Sequence, residues 1–306
     1  MDEMKHYFTV FTPTYNRAHL LYRVYNSLKA QTFKDFEWLI VDDDSTDNTK
    51  EVVDSYRLEG IVDIKYIWQP NGHKKSAFNH GVKEAKGLFF IPADSDDSFQ
   101  AETLEIFKTA YESQPISIQQ TLSGVVCLCK DQQGNVIGDY FPKENWISNG
   151  LEMRYKYHVS GEKWGCIKTS ILKDFPFPEV FGHVPENVIW TPIAKKYKAL
   201  FINKALRIYY VNEADSITNN SFNIKNAHGH FLLAKNILEN ELDYFFYNPL
   251  NFIKASANFT RFKLDTKKKI RKKYKFILEN KRIIGNILVL LFFPLGLFLH
   301  FRDMRR

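Results

Sequence analysis

The first hundred residues alternate between short apolar runs and longer segments with helical spacing of apolar positions. The apolar runs predict strands at 7–15, 36–45, 62–69 and 88–93. The segments between and after them predict helices at 17–31, 46–56, 75–87 and 101–114. Strands that alternate with helices of this length are typical of a mostly parallel sheet with helices on both faces. The pattern therefore predicts an α/β fold, with Ser45 or Thr46 as the N-cap of the second helix.

The rest of the chain is less regular. Two further strands are predicted at 123–130 and 205–212, among loops rich in Trp, His and Pro. Aromatic loops of this kind suit the part of a domain that recognises a substrate. We therefore predict one domain at 1–220, with halves at 1–114 and 115–220, followed by a helical region at 221–306.

Polar residues follow three of the predicted strands. The segments are "TPTYN" (12–16), "VDDDS" (41–45) and "ADSDDS" (93–98). Because ligands bind outside the carboxyl ends of the strands in such sheets, the three segments are expected to meet at one crevice. Helix capping is the alternative explanation, but it needs only one acid in each turn.

The third segment places three carboxylates, Asp94, Asp96 and Asp97, within four residues. Clustered oxygen ligands suit Mg²⁺ or Mn²⁺, hard cations that bridge a carboxylate to the phosphates of a substrate. A solvated turn explains one or two of these acids, whereas a cation and its phosphates explain all three.

Several stretches in this part resemble the successive motifs of the family 2 inverting glycosyltransferases with the GT-A fold. They are "FTPTYNRAHLL", "SLKAQTFKDFEWLIVDDDSTDNT", "NGHKKSAFNHGVKEAKG" and "IPADSDD", in the family's order over about residues 7–110. A later stretch that begins "KWGCIKTSILKDFPFPE" is similar to bacterial members that act on surface polysaccharides. The resemblance implies transfer of a sugar from a nucleotide-sugar, such as a UDP-sugar, to a hydroxyl of a growing lipid-linked glycan, with Mn²⁺ or Mg²⁺ as cofactor.

The resemblance also implies roles for residues that bind the donor. Thr12, Pro13 and Tyr15 would line the nucleotide pocket, and Asp43 would accept a hydrogen bond from the nucleobase. Lys74 would face the diphosphate; the alternative is a solvated lysine at a helix N-terminus.

The same resemblance makes Asp94 and Asp96 a DxD pair. The pair would touch the donor ribose and the metal, with Asp96 as a metal ligand, and Asp97 would support or share the ligand set.

Inversion requires a general base that deprotonates the acceptor hydroxyl. Members of the family usually carry a Glu-Asp pair after the donor half, whereas this chain reads "VPENVIW", with Glu186 followed by Asn187. Asn does not accept a proton at neutral pH, so Glu186 is the candidate base. The alternative is that Glu186 only begins a helix after Pro185.

Other residues of the aromatic loops are weaker candidates. His158 and His183 are fallback bases, although a lone histidine in such a loop is more often structural. Trp164 and Trp190 are possible platforms for a sugar, although buried aromatic residues are commoner than sugar platforms.

The net charge of +7 is unevenly distributed. Residues 261–306 contain 14 Lys and Arg against three acids, whereas the rest of the chain contains 28 bases and 32 acids. A mildly acidic body with a basic tail favours an electrostatic anchor over a nucleic-acid-binding face. We therefore expect an anionic membrane surface, and no nucleic acid, as the partner of residues 261–306.

An uncharged apolar run occupies residues 283–301. As one helix it would measure about 28 Å, barely enough to cross a bilayer. Both flanks are basic, and Pro294 and Gly296 interrupt the run, which favours an interfacial or re-entrant insertion. The alternative is a buried C-terminal helix. Since no signal peptide is evident, we expect the protein at the cytoplasmic face of the bacterial inner membrane.

Two other functions are compatible with parts of the sequence. Asn187 leaves open a non-catalytic, membrane-associated protein that binds sugar nucleotides. A nucleotidyltransferase also uses paired Asp and Mg²⁺, but its glycine-rich basic segment near the first strand is not evident here. The three cysteines, Cys127, Cys129 and Cys166, contain no CxxC pair and are expected to be core thiols.

Overall fold

The computed structural model describes residues 5–210, 226–266 and 282–304. These residues form two compact units, the first from 5–176 and 196–210 and the second from 177–195, 226–266 and 282–304. The predicted domain boundary at 220 lies outside the described residues. Residues 177–195, which we expected in the first domain, belong to the second unit.

The first unit contains one sheet, in which the described residues form nine strands. The strands are β1 (His6–Thr14), β2 (Phe36–Asp42), β3 (Ile64–Trp68), β4 (Gly87–Pro92), β5 (Ser98–Phe99), β6 (Leu122–Lys130), β7 (Trp146–Ser148), β8 (Lys163–Lys168) and β9 (Lys198–Ile208). Their order is β3-β2-β1-β4-β8-β6-β9-β5, and β7 pairs with β9. Strands β1 to β4 are parallel to their neighbours within that group, as predicted. The second half of the sheet is mixed, because β5, β7 and β8 run antiparallel to their neighbours.

The helices of the first unit are α1 (Tyr22–Lys29), α2 (Thr49–Glu59), α3 (His73–Glu84), α4 (Thr103–Glu112), α5 (Ile116–Gln119), α6 (Gly150–Tyr155) and α7 (Thr169–Asp174). The first four follow the predicted positions closely, whereas the three short helices α5 to α7 were not predicted. The predicted cap of α2 is wrong. The helix begins later than expected, and the hydroxyl of Ser45 instead accepts a hydrogen bond from the backbone of Asn16.

Alternate residues of β1 point to opposite faces of the sheet, and both faces carry helices. Phe8 and Val10 belong to the core that includes residues of α1, α2 and α4. Phe11 packs on the other face, where its ring lies 5.7 Å from that of Phe78 in α3. A Cβ added to Gly81 of α3 would lie 2.2 Å from the ring of Phe11, so only glycine permits this close approach. The predicted two-sided arrangement is therefore present.

The second unit is helical. It contains α8 (Asn187–Lys196), α9 (Ala227–Asn240), a 3-10 helix (Leu242–Tyr247), α10 (Pro249–Thr266), α11 (Ile283–Leu291) and α12 (Phe293–Met304). Helices α9 and α10 pack through Phe231 and Phe259, and the buried Lys263 ammonium lies within 6 Å of both rings.

The apolar run at 283–301 is not one helix. Helices α11 and α12 meet at a bend of 59°, and Pro294 occupies the first turn of α12, where its missing N–H costs little. Among the described helices, none is individually long and apolar enough to cross a membrane. The bent pair of α11 and α12 together has enough length and apolar composition to do so, by those two measures only.

Candidate functional site

The carboxyl ends of β2, β1 and β4 lie side by side because these strands are parallel neighbours. The turn after β1 is bound to the turn after β2. Asn16 donates its backbone N–H to Ser45 Oγ (2.9 Å), and its side-chain oxygen accepts the N–H of Thr46 (2.7 Å). The backbone of Asn16 is left-handed (φ 52°), which Asn tolerates better than most residues. Two of the three segments predicted to meet at the sheet edge, 12–16 and 41–45, are therefore in contact.

Asp43, the predicted partner of the nucleobase, is buried and held in one orientation. Its Oδ1 accepts hydrogen bonds from Gln69 Nε2 (2.7 Å) and from the N–H of Gly72 (2.9 Å). Gln69 Oε1 in turn lies 2.9 Å from His80 Nδ1 in α3. Gln69 and His80 were not predicted, because neither residue type identifies a supporting role without its neighbours.

The predicted nucleotide-pocket residues at and just after the end of β1 differ in their exposure. Thr12 is fully buried, and its hydroxyl accepts a hydrogen bond from the indole N–H of Trp38 (2.9 Å). The Thr12 side chain therefore packs in the core, and its predicted place in the nucleotide pocket stays a prediction. Tyr15 is 50% exposed and Pro13 is half-buried, so their predicted contacts with a nucleotide remain open to test.

The turn after β4, residues 93–97, is called the aspartate turn below. Its three carboxylates do not converge on one point but each pairs with a different cation. The pairs are Asp96 with Arg17 (2.7 Å), Asp94 with Lys74 (2.7 Å) and Asp97 with Arg207 (2.8 Å). The loop after β1, helix α3 and strand β9, which are distant in sequence, therefore each contribute one cation that holds the turn.

Asp97 and Arg207 form the buried part of this arrangement. The side chain of Asp97 is 3% exposed and that of Arg207 is 7% exposed. The second oxygen of Asp97 accepts the backbone N–H of Asp94 (3.0 Å), while Arg207 also approaches Asp94 (3.6 Å) and Glu162 (3.4 Å). Asp97 is thus placed to support Asp94, which agrees with one of its two predicted roles; its role as a metal ligand remains a prediction.

The pKa values of the two acids move in opposite directions. Burial raises the pKa of Asp97, although the Arg207 guanidinium opposes that effect. Burial also acts to raise the pKa of Asp94, but the Lys74 and Arg207 charges outweigh it and hold that pKa below its ordinary value. Asp94 therefore stays ionised beside its two cations.

A second arginine holds the backbone of the aspartate turn. Arg23 in α1 donates to the carbonyl oxygen of Asp96 (3.2 Å), and its guanidinium stacks 3.9 Å from the ring centre of Tyr210. The Tyr210 hydroxyl lies 3.1 Å from Ser98 Oγ, just after the turn. Arg17, Arg23 and Arg207 were not predicted as site residues. The sequence signals were that Arg17 directly follows "TPTYN" and that Arg207 lies in "LRIYY", the end of the later stretch that is similar to bacterial members of the family.

The donor set of the aspartate turn suits a divalent cation that is shared with a substrate. Asp94 and Asp96 present hard carboxylate oxygens, with side chains 34% and 37% exposed. Within the described part of the chain, no three His, Cys, Asp or Glu side chains surround one point. Mg²⁺ is usually bound by one or two carboxylates together with substrate phosphates, so these residues fit such an ion without forming a complete cage.

Glu186, the candidate base, lies in the second unit directly before α8. It is exposed, and its Oε2 accepts a hydrogen bond from the indole of Trp190 one turn later (3.2 Å). Its carbonyl oxygen accepts backbone N–H groups of Ile189 and Trp190, so Glu186 does begin the helix. The role of Glu186 as base stays a prediction, as do the fallback roles of the exposed His158 and His183.

Trp164 is not a sugar platform. It is 4% exposed, its ring packs beside Phe99 and Phe107, and its indole donates to the carbonyl oxygen of Pro92 (2.5 Å). Its function is to join β8 to the end of β4, because an indole N–H in a core requires an acceptor.

Comparisons with known proteins agree with this architecture. A curated relative from Campylobacter jejuni subsp. jejuni serotype O:2, "GalNAc(5)-diNAcBac-PP-undecaprenol beta-1,3-glucosyltransferase", is 33% identical over 252 residues, which cover 76% of this chain and 74% of the relative. The solved structure of S. aureus TarS 1-349 in complex with UDP-GlcNAc has a TM-score of 0.63 at 23% identity and covers 93% of this chain and 78% of that one. The mannosyltransferase PcManGT from Pyrobaculum calidifontis, in complex with GDP-Man and Mn²⁺, has a TM-score of 0.52 at 15% identity, covering 98% and 83%.

The structural matches confirm the predicted GT-A fold. The sequence model described as "Glycosyl transferase family 2" matches residues 9–167, which include β1 to β4, the aspartate turn and most of β8. This chain belongs to glycosyl transferase family 2, and it is a glycosyltransferase with the GT-A fold.

Proposed function

We propose that the protein transfers a sugar from a UDP-sugar to a hydroxyl of a lipid-linked glycan, with inversion at the sugar carbon. The observation that carries the proposal is the aspartate turn, held at the ends of parallel strands with Lys74 and Arg17 beside its two exposed carboxylates. The Campylobacter relative, named for action on an undecaprenol-linked glycan, supports the acceptor class. The TarS structure with UDP-GlcNAc supports the donor class.

The donor is proposed to lie along the edge formed by β1, β2 and β4. Asp43, fixed by Gln69, accepts a hydrogen bond from the uracil ring, and Tyr15 covers the base. Lys74 and Arg17 turn from their carboxylates to the diphosphate, since both side chains reach into the same turn.

Asp96, with Asp94, is proposed to hold Mg²⁺ or Mn²⁺. When bound, the ion would neutralise charge on the departing diphosphate. The chain's own residues orient the donor: Arg207 keeps Asp97 in place, and Asp97 fixes the backbone of Asp94.

Transfer then requires one bond to form and one to break. The acceptor oxygen attacks the sugar carbon from the side opposite the diphosphate, the bond to the diphosphate oxygen breaks, and the hydroxyl proton passes to a base. We propose Glu186 as that base, because its carboxylate is exposed and already accepts an indole hydrogen bond.

Replacing Glu186 with glutamine should lower the turnover number by about a hundredfold or more while UDP-sugar binding stays within about twofold. The amide keeps the size and the hydrogen bond to Trp190 but does not take up a proton. Steady-state transfer and donor titration measure the two quantities. The matched control is Glu179→Gln, an exposed glutamate of the same loop, which should behave as the unmodified protein. Near-normal turnover of Glu186→Gln would assign the base elsewhere.

The transferase proposal and its alternative, a sugar-nucleotide binder without activity, differ in one measurement. Purified protein with Mn²⁺ and a UDP-sugar should release UDP slowly to water and much faster when a lipid-linked glycan is added. Saturable donor binding with UDP release at the uncatalysed rate under both conditions would favour the binder.

The acceptor class also suggests a location. We propose that the protein works at the cytoplasmic face of the bacterial inner membrane and contacts anionic lipid through residues 261–306. The excess of basic residues in that segment supports this proposal, since each base near an anionic surface contributes about 1 kcal/mol.

A further inference from the structure

Helix α12 is docked on α10 by close backbone contact. A Cβ added to Gly296 would lie 2.5 Å from the carbonyl oxygen of Ala257 and 2.6 Å from Cβ of Thr260. Ala257 and Thr260 lie one turn apart on α10, so the two helices touch at a point where neither carries a large side chain. Any side chain beyond hydrogen at position 296 would separate them.

An ion pair fixes α12 to α10 at a second point. Arg261 Nε donates to Asp303 Oδ2 at 2.5 Å, and the two side chains are 14% and 1% exposed. Asp303 lies two turns beyond Gly296, so both contacts fall on one face of α12. Removing one partner of a buried pair is costly because the other charge is left without compensation. This face of α12 therefore packs against α10 and is not available to another partner.

The opposite faces of α11 and α12 are apolar and exposed. On α11 the exposed side chains recur three or four residues apart and so share one face of the helix, whereas Leu288 and Val289 are buried. On α12 they recur at every third position. The exposed set is Ile283, Ile284, Ile287, Leu290, Leu291, Leu295, Phe298, Phe301 and Met304. Soluble proteins seldom leave so many large apolar side chains on one short segment in water.

Charge around this apolar surface favours lipid over protein as its occupant. Arg282 precedes α11 and Arg302 lies near the end of α12. Along the sequence, 261–306 carries 14 Lys and Arg against three acids. Apolar side chains flanked by bases are typical of helices that lie in the interface of anionic membranes.

We propose that α11 and α12 insert into a single leaflet of an anionic membrane with their exposed apolar faces, while the other face of α12 stays docked on α10. The inference deepens the membrane part of the proposed function and rests on it. Helix lengths of about 14 Å and 18 Å are each short of the roughly 30 Å hydrocarbon core. A crossing would also require the 59° bend to straighten and the contacts of Gly296 and Asp303 to break.

Vesicle flotation of the full chain tests the surface. The triple variant Ile284→Gln, Leu291→Gln, Phe298→Gln should bind phosphatidylcholine vesicles with about one third phosphatidylglycerol more than about tenfold more weakly than the unmodified protein. The matched control, Leu58→Gln with Ile116→Gln, changes exposed apolar residues of the first unit and should bind normally. Equal binding of the triple variant and the unmodified protein would overturn the proposed surface.

Protease protection tests the single-leaflet topology. An epitope added after Arg306 should be digested from the same side of proteoliposomes as the first unit. An epitope protected while the first unit is digested would show a crossing and overturn the inference. UDP release measured on the same samples separates the membrane proposal from the transferase proposal. The triple variant, which should lose vesicle binding, should still hydrolyse the donor. An unmodified protein that binds vesicles but releases no UDP would contradict the transferase proposal alone.

Discussion

Replacing Asp96 with alanine is expected to reduce sugar transfer by about a hundredfold to a thousandfold, the usual effect of removing one preorganised electrostatic group. Asp96 is the more exposed acid of the DxD pair and the proposed contact of the divalent ion. Without it, the ion would lose a protein oxygen, and Arg17 would lose the carboxylate that lies 2.7 Å away. The measurement is initial rate of transfer at saturating donor and Mn²⁺.

The same variant should remain folded. The Asp96 side chain is 37% exposed, so the removed carboxylate is one that solvent reaches, and its partly buried pair with Arg17 contributes little to folding. Thermal unfolding should therefore be almost unchanged. Asp63→Asn, at an aspartate whose side chain is 69% exposed, is the control for loss of one negative charge and should retain full activity.

Chelation should reproduce the effect of the variant. Excess EDTA is expected to abolish transfer, and Mn²⁺ binding measured by calorimetry in the presence of UDP should be weaker in Asp96→Ala. Full transfer in EDTA, or unchanged Mn²⁺ affinity of the variant, would refute the metal role of Asp96.

Local patterns were sufficient to predict the first half of the sheet and the aspartate turn. Strands β1 to β4 are bounded by helices with clear periodicity, and a carboxylate directly after a buried strand is visible in the sequence itself. The expected parallel order of these strands follows from the helix between each pair. The sequence motifs therefore placed Asp94 and Asp96 correctly at the sheet edge.

Long-range pairing explains what the sequence did not reveal. Arg207 reaches Asp97 because β9 pairs with β5 in the register that places Arg207 opposite Phe99, two residues after Asp97. The paired residues of these strands lie more than a hundred positions apart in the sequence, and no periodicity predicts their register. The mixed half of the sheet and the burial of Trp164 depend on the same kind of pairing.

The break between α11 and α12 shows a different limit of prediction from the sequence. Pro294 and Gly296 were noticed as interruptions of an apolar run, but Gly296 proves to be the contact point with α10. Glycine in a helix weakens it on average, and only the neighbouring helix shows why this position tolerates it. Sequence alone thus located the break beside Pro294, whereas the predicted interruption at Gly296 is wrong because α12 continues through that residue.

Replacing Arg207 with methionine is expected to lower the free energy of unfolding by about 3–5 kcal/mol, the largest effect on stability that we predict. The change leaves Asp97 buried without its cation and also removes the charge nearest to the second oxygen of Asp94. Urea unfolding measures the loss. Lys50→Met, which breaks an exposed pair with Asp54, is the control and should leave the urea midpoint unchanged.

Replacing Asp97 and replacing Arg207 should lower the free energy of unfolding by different amounts. Asp97→Asn leaves Arg207 beside Asp94 and Glu162, so its cost should be smaller than that of Arg207→Met. Combining the two changes removes both buried charges, and the double variant should be more stable than the sum of the single losses implies. Additive losses would mean that the pair does not act as a unit.

A conservative variant separates the stabilising role of Arg207 from its role in positioning the aspartate turn. Arg207→Lys keeps the charge but lacks the planar fork that reaches Asp97, Asp94 and Glu162 together. We expect it to recover most of the stability lost in Arg207→Met and yet to turn over donor at least about tenfold more slowly, because Asp94 would no longer be held for the ion and the diphosphate. If Arg207→Lys recovered stability and turnover together, the charge alone would suffice and the fork geometry would have no part in catalysis.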